Sequence, residues 1–327
     1  MPGFGLHLTN FRHPTEPDAG LLDRTVQLAR VMEDSGFDSL WLTDHLHYLG
    51  PEGPSAPMPE AYMLLGALAA RTEELRLGVL ATSVTYRNPA LLAKMATTLD
   101  DISGGRAILG IGAGHPRTEA EQRSYGFGFP PIGERMSRLE EALQVIRAMF
   151  REEAPTFSGR FFETREAFNA PRPVQPGGPP VLVAGSGEMR LLRVVAKYAD
   201  MCNFSFPSGD RLEVLPHKLE VLARHCQTVG RNPADIRVTY KAVLAVAETQ
   251  SEAERLWTGY REARGLPPFD SRAGVFVGTP QTVAEQAAPF VEAGVDELIV
   301  ELPDVHNLEH VQAAAEALTT LQKVKLA

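Results

Sequence analysis

Residues 75–112 read LRLGVLATSVTYRNPALLAKMATTLDDISGGRAILGIG. The stretch opens with a short apolar run, Leu75–Thr82, and ends with another, Ala107–Gly112. Between them Asn88-Pro89 places a capping side chain directly before a proline at the first helical position, which predicts a helix to about Ile102. Strand, helix and parallel strand is the βαβ unit. The same alternation runs outward in both directions. Upstream stand strand Phe4–Leu8, helix Leu21–Ser35 closed by Gly36, strand Ser39–Leu42 and helix Glu60–Arg71. Downstream come a helix over residues 133–150, strand Val181–Ala184, helix Glu188–Tyr198, strand Met201–Phe204 and a helix near 211–229. Strand Ile236–Ala245 follows, then a helix with a capping-box signal at Ser251 and Glu254. A helix capped by Thr279-Pro280, strand Glu297–Glu301 and a closing helix through Leu308, Val311, Ala314, Leu318 and Leu321 complete the chain. An open doubly wound sheet reads similarly, but eight strands, each followed by a helix, favour a (β/α)8 TIM barrel of the α/β class. Insertions are expected at 113–180 after strand 4 and at about 246–278 between strands 7 and 8, within one domain spanning 1–327.

Composition narrows the function classes. Of 327 residues 44% are hydrophobic and 22% charged, an ordinary globular balance. A net charge of −9 with no clustered basic face argues against nucleic acid. No membrane span and no signal peptide are read, so a cytoplasmic protein is expected. Cys202 and Cys226 form no CxxC pattern and read as two buried, reduced thiols.

A parallel barrel carries its chemistry at the C-terminal ends of its strands. Strand 2 ends in Thr43-Asp44-His45-Leu46-His47-Tyr48. There Asp44 reads as a polar anchor and His45 as a proton donor or acceptor. The rival is a metal site at His45-x-His47, which needs further ligands; strands 5 and 6 end in Ala184-Gly185-Ser186 and Asn203-Phe204-Ser205, without histidine. After strand 3, Thr82 and Ser83 either bond a heterocycle or cap their own backbone. Strand 4 runs into Gly110-Ile111-Gly112-Ala113-Gly114-His115, where glycines admit a flat ligand or make a tight turn. Ala184-Gly185-Ser186-Gly187 precedes a helix and offers amides to a phosphate, or serves as a glycine turn.

In this order the segments resemble the luciferase-like monooxygenase superfamily, in particular its branch of coenzyme F420-dependent oxidoreductases. The resemblance rests on Gly36-Phe37-Asp38-Ser39-Leu40-Trp41 leading to Asp44-His45, on Leu75-Arg76-Leu77-Gly78 leading to Thr82-Ser83-Val84, and on residues 87–94. Residues 99–106, Gly110-Ile111-Gly112-Ala113-Gly114, Tyr125-Gly126, Glu134-Arg135 and Ala184-Gly185-Ser186-Gly187 continue it. It implies that Asp44 and His45 meet the deazaflavin ring, with His45 beside the hydride-bearing carbon. It implies that Ser83-Val84 bulges behind the ring, in relatives often through a non-proline cis peptide, and that Gly185, Ser186 and Gly187 hold the cofactor phosphate. Gly114 and His115 are expected to bind the cofactor; many relatives carry Trp or Glu where this chain has His115, a departure at the cofactor's side chain or the substrate edge. Asp100, Asp101 and Arg106 are shared but read as structural.

The expected reaction is hydride transfer between F420 and a small organic substrate, with His45 moving the proton; FMN with oxygen is the alternative cofactor chemistry. A non-catalytic flavin- or ligand-binding barrel is the alternative of another class. Phe127, Phe129, Phe157, Phe161 and Phe162 either wall the site or pack the insertion on the barrel. No cationic cluster demands a phosphorylated substrate. A homodimer is expected from the resemblance.

Overall fold

The computed structural model describes residues 2–16, 18–50, 53–205, 209–266 and 270–324. Its strands are β1 (Gly3–Leu8), β2 (Ser39–Leu42), β3 (Arg76–Val79), β4 (Thr82–Ser83), β5 (Ala107–Gly112), β6 (Phe157–Ser158), β7 (Glu163–Thr164), β8 (Val181–Ala184), β9 (Met201–Ser205), β10 (Arg237–Val246), β11 (Val275–Gly278) and β12 (Glu297–Glu301). The helices are α1 (Leu21–Asp34), α2 (Ala61–Ala69), α3 (Pro89–Ser103), α4 (Glu119–Ser124), α5 (Ile132–Arg151), α6 (Leu191–Tyr198), α7 (Leu215–Thr228), α8 (Gln250–Arg264), α9 (Pro280–Glu292) and α10 (Leu308–Val324).

The ring runs β1-β2-β3-β5-β8-β9-β10-β12 and closes back on β1, every pair parallel. It is the eight-stranded α/β barrel expected, and closure removes the exposed edges that an open sheet would carry. Period-two alternation divides each strand between two cores. Phe4, Leu6 and Leu8 face the helices in the main hydrophobic cluster. A second cluster of Trp41, Leu80, Ile108, Leu182, Met201 and Ile299 fills the interior. Trp41 is fully buried there, and glycine on both neighbouring strands makes its room. A Cβ at Gly5 would fall 2.9 Å from its Nε1, and one at Gly78 would fall 2.7 Å from its ring. Nε1 donates to Ser39 Oγ at 2.8 Å, and Ser39 in turn donates to Glu297 at 2.6 Å.

Four local features differ from the sequence expectation. The third strand stops at Val79, a non-proline cis peptide joins Leu80 to Ala81, and the chain resumes as β4 against β5. The cis bond thus lies before Ser83-Val84, not within it. α6 begins at Leu191, so Glu188 stands in a turn before it with Arg190 as the N-cap residue. α8 is capped by the Thr249 side chain, which accepts from the Glu252 amide, so Ser251 already lies inside the helix. Finally, the interval near 246–278 contributes β11, which pairs with the far end of β10 outside the ring. With α8 it encloses a separate cluster of Val243, Ala245, Trp257, Tyr260, Val275 and Val277.

Candidate functional site

The C-terminal ends of β2, β4, β5 and β8 meet at one rim. Contacts through α4, a short helix inside the insertion after strand 4, tie the first three together. Glu121 on α4 is fully buried. Its Oε2 lies 2.9 Å from His45 Nδ1, and its Oε1 accepts the Leu46 amide. Burial alone would raise this carboxyl. The hydrogen bonds from His45 and Leu46, together with the His45 charge, outweigh it and leave Glu121 below the ordinary carboxylate range. An ionised carboxylate only accepts, so the proton on the His45 ring sits at Nδ1. Nε2 is left as the atom able to exchange a proton, on a side chain 32% exposed.

The next residue on α4 reaches the other strands. Gln122 Nε2 lies 3.5 Å from Ser83 Oγ, and its Oε1 accepts from Thr85 Oγ1. Ser83 Oγ and Thr85 Oγ1 are 2.7 Å apart. Opposite them is Gly114 at φ +80°, where a Cβ would lie 2.6 Å from Ser83 Oγ. Only glycine meets both the backbone and the space requirement. Arg135 fixes this turn by donating to the carbonyls of Ala113 (2.9 Å) and Gly114. His115 follows, exposed at the rim. Partial burial, with the charges of Arg117, Arg135 and His45, holds its imidazole below the ordinary value.

The predicted residues divide between front and back of this rim. Asp44 is buried and its carboxylate takes both Arg87 Nη1 at 2.6 Å and Nη2 at 3.0 Å, a bidentate pair. Thr82 Oγ1 and Tyr62 Oη are 2.8 Å apart, and the Val84 side chain belongs to the main core. These three brace the rim from behind. His45, Gly114, His115 and Ala184 with the loop after it are partly or fully exposed at the rim, and Ser83 is buried beside Gly114. His47 stacks on Tyr125 at 6.4 Å between ring centroids. Among the described residues no group of three or more His, Cys, Asp or Glu is placed to hold a metal ion. The insertion aromatics also divide. Phe127 meets Tyr86 edge-on at 5.5 Å and Phe129 lies under Arg135 at 3.9 Å, close to the rim. The β6–β7 hairpin is instead tied to α5, where Glu141 accepts the amides of Arg160, Phe161 and Phe162.

Two features fit a flat cofactor with a phosphate. Gly110, Gly112, Ala113, Gly114, Ala184 and Gly185 leave the ends of β5 and β8 nearly free of side chains. Beyond them, the amides of Ser186, Gly187 and Glu188 donate to no acceptor among the described residues. Lys218 from α7 stands beside them, donating to the Ser186 carbonyl at 2.9 Å. Such amides suit an anionic oxygen. Glu121, Gln122 and Lys218 were missed by the sequence reading, because their roles arise only from tertiary contact.

Residues 4–265 match the family model described as luciferase-like monooxygenase. F420-dependent glucose-6-phosphate dehydrogenase of Nocardia farcinica is 28% identical over 305 residues, covering 85% of this chain and 87% of its own. The enzyme of the same description from Intrasporangium calvum is 30% identical over 313 residues, 86% of this chain and 88% of its own. Coenzyme F420-dependent tetrahydromethanopterin reductase of Methanopyrus kandleri superposes with a TM-score of 0.75 at 19% identity, over 95% of this chain and 97% of its own. The barrel, its rim and the match over most of its length place this chain in the luciferase-like monooxygenase family.

Proposed function

We propose that the protein is a coenzyme F420-dependent oxidoreductase that moves a hydride between F420 and a small organic substrate at the barrel mouth. The observation that carries this is His45, a third exposed at a glycine-lined rim and oriented by the buried Glu121 carboxylate. The F420-dependent dehydrogenases among its relatives support the choice of cofactor over FMN. When bound, F420 supplies the two-electron hydride carrier. Ser83, Gly114 and His115 would hold its ring edge, and Ala184, Gly185, Ser186 and Gly187 its phosphate. Asp44, Thr82 and Val84 support that wall from behind.

For an alcohol substrate, the carbon loses hydride while the hydroxyl proton passes to His45 Nε2, and a carbonyl product forms. Glu121 stabilises the imidazolium that results, and it holds Nε2 toward the rim. In reverse, His45 returns the proton.

The test is to titrate the purified protein separately with oxidised F420 and with FMN, following fluorescence quenching. F420 is expected to bind and FMN to bind far more weakly; tight binding of FMN alone would overturn the cofactor choice. His45→Ala should lower turnover by roughly 10²–10⁴-fold while changing F420 affinity little. Equal losses in both would make His45 a cofactor ligand only.

A further inference from the structure

We propose that His7 contacts the substrate on the floor of the mouth, and that this substrate is an uncharged alcohol or carbonyl compound, not a phosphate ester. The proposal rests on the oxidoreductase reading above and names its substrate class.

His7 lies on β1 between Leu6 and Leu8, which face the helices, so its side chain faces the barrel interior, in register with Trp41. It is 5% exposed, and neither ring nitrogen has a hydrogen-bond partner among the described residues. The Leu80 carbonyl bears on the ring but lies outside hydrogen-bond geometry. A buried donor left unpaired is destabilising, so such a group points to a partner supplied from elsewhere. The mouth is the available source, since His7 lies one residue before the C-terminal end of β1, beside the strand that leads to His45.

The surroundings define what that partner is. Lys241 on β10 reaches the same space, but its ammonium is 2.8 Å from Glu301 on β12 and is neutralised there. Glu301 is further held by Thr9 Oγ1 at 2.8 Å and by the Tyr260 hydroxyl. Burial, then the charge of Lys241, keeps His7 well below its ordinary pKa against the opposing pull of Glu301, so the ring is neutral and presents one N–H. A substrate oxygen can accept that N–H both as a hydroxyl and as a carbonyl. A phosphate dianion needs several free cations, and the buried or half-buried ones at the mouth are engaged. Arg87 is held by Asp44 and Glu60, and Lys218 by Glu188 and Asp210. Arg135 serves the Ala113, Gly114 and Pro130 carbonyls, and Arg264 covers the Tyr260 ring and donates to Tyr48. Arg117 stands exposed on the outer rim. In the proposed step the substrate C–H bond breaks with its electron pair going to the cofactor. The O–H proton goes to His45, the C=O bond forms, and His7 donates to the oxygen throughout.

The experiment uses the full chain loaded with F420, loading being confirmed by quenching. A series of uncharged secondary alcohols and glucose-6-phosphate are compared by the loss of oxidised-F420 absorbance. Alcohol kcat/KM is expected to exceed that for glucose-6-phosphate by at least about 100-fold, as expected when buried polar groups discriminate. His7→Phe should raise KM for the best alcohol about tenfold while leaving F420 affinity within about twofold, and His7→Gln, which restores an N–H, should recover part of that loss. A purely structural His7 would lower thermal stability without this split between the two variants. Turnover of glucose-6-phosphate equal to or better than every alcohol overturns the proposal, as does an unchanged alcohol KM in both variants. With F420 bound, no turnover of any alcohol also overturns it. Failure to bind F420 at all would instead remove the oxidoreductase reading beneath it.

Discussion

Replacing Glu121 by Gln isolates what the buried carboxylate contributes to His45. The carboxylate makes two hydrogen bonds, to His45 Nδ1 at 2.9 Å and to the Leu46 amide. Bonds to a charged acceptor are worth roughly 1.5–3 kcal/mol and neutral ones about 0.5–1.5. Removing the charge therefore costs about 1–2 kcal/mol at His45, close to a 5- to 30-fold fall in kcat at ~1.4 kcal/mol per tenfold. The amide can also turn its NH2 toward Nδ1, which moves the ring proton to Nε2 and abolishes the base. That brings the expected loss to about 10–100-fold, with F420 affinity within about twofold. Steady-state reduction of F420 measures the loss in kcat. The tautomer is read without any substrate, from ¹⁵N spectra of histidine-labelled protein, in which His45 should change from the Nδ1–H form to a mixture. The sign of the pH effect is fixed as well. Glu121 is held below its ordinary value in the folded protein, so its contribution to stability is present above the unfolded pKa and is lost as pH falls through the folded one. The Gln variant should lack that acid-side loss. A variant with wild-type kcat and an unaltered tautomer would refute the reasoning.

Three other outcomes follow from the packing. His7 is kept neutral well below its ordinary value of 6.5, whereas the unfolded chain takes up that proton, so the folded state loses up to about 1.4 kcal/mol per pH unit below that value. His7→Phe should flatten the urea-derived stability curve between pH 6.5 and 5 relative to wild type; parallel curves would contradict the burial argument. Gly78→Ala sets a Cβ 2.7 Å from the Trp41 ring and should destabilise the fold by roughly 1–3 kcal/mol. Adding Trp41→Leu should recover part of this, and strictly additive effects in a double-mutant cycle would show that the two do not touch. Burial pushes the Cys202 thiol up to about 12 and raises Cys226. Neither should react with a thiol-specific chromogenic disulfide at pH 8 in the native protein, and both should after denaturation.

The ring strands were legible because each is a short apolar run bounded by turn residues, and because caps such as Asn88-Pro89 and Thr279-Pro280 set helix starts almost to the residue. β11 was not, since Val275–Gly278 is four residues long and draws its partner from the overhanging end of β10. Knowing that a barrel works at its strand ends was enough to bring Ser83, Gly114 and Ala184 to notice. It could not reveal Glu121, a polar residue on a short helix whose burial comes from a loop 75 positions away. Asp44 illustrates the same limit in reverse. Its place at a strand end suggested a ligand, but Arg87, 43 positions downstream, already occupies both its oxygens. His7 escaped notice because an inward side chain in an apolar strand carries no local mark of its solitude.

The indole at the centre of the barrel acts as an insulator. The apolar cluster around it fills the interior behind the mouth, and His45, a third exposed at the rim, exchanges its protons with solvent there. The Arg237–Glu297 pair lies at the opposite end, with Ser39 and the Trp41 indole hydrogen-bonded in series behind it.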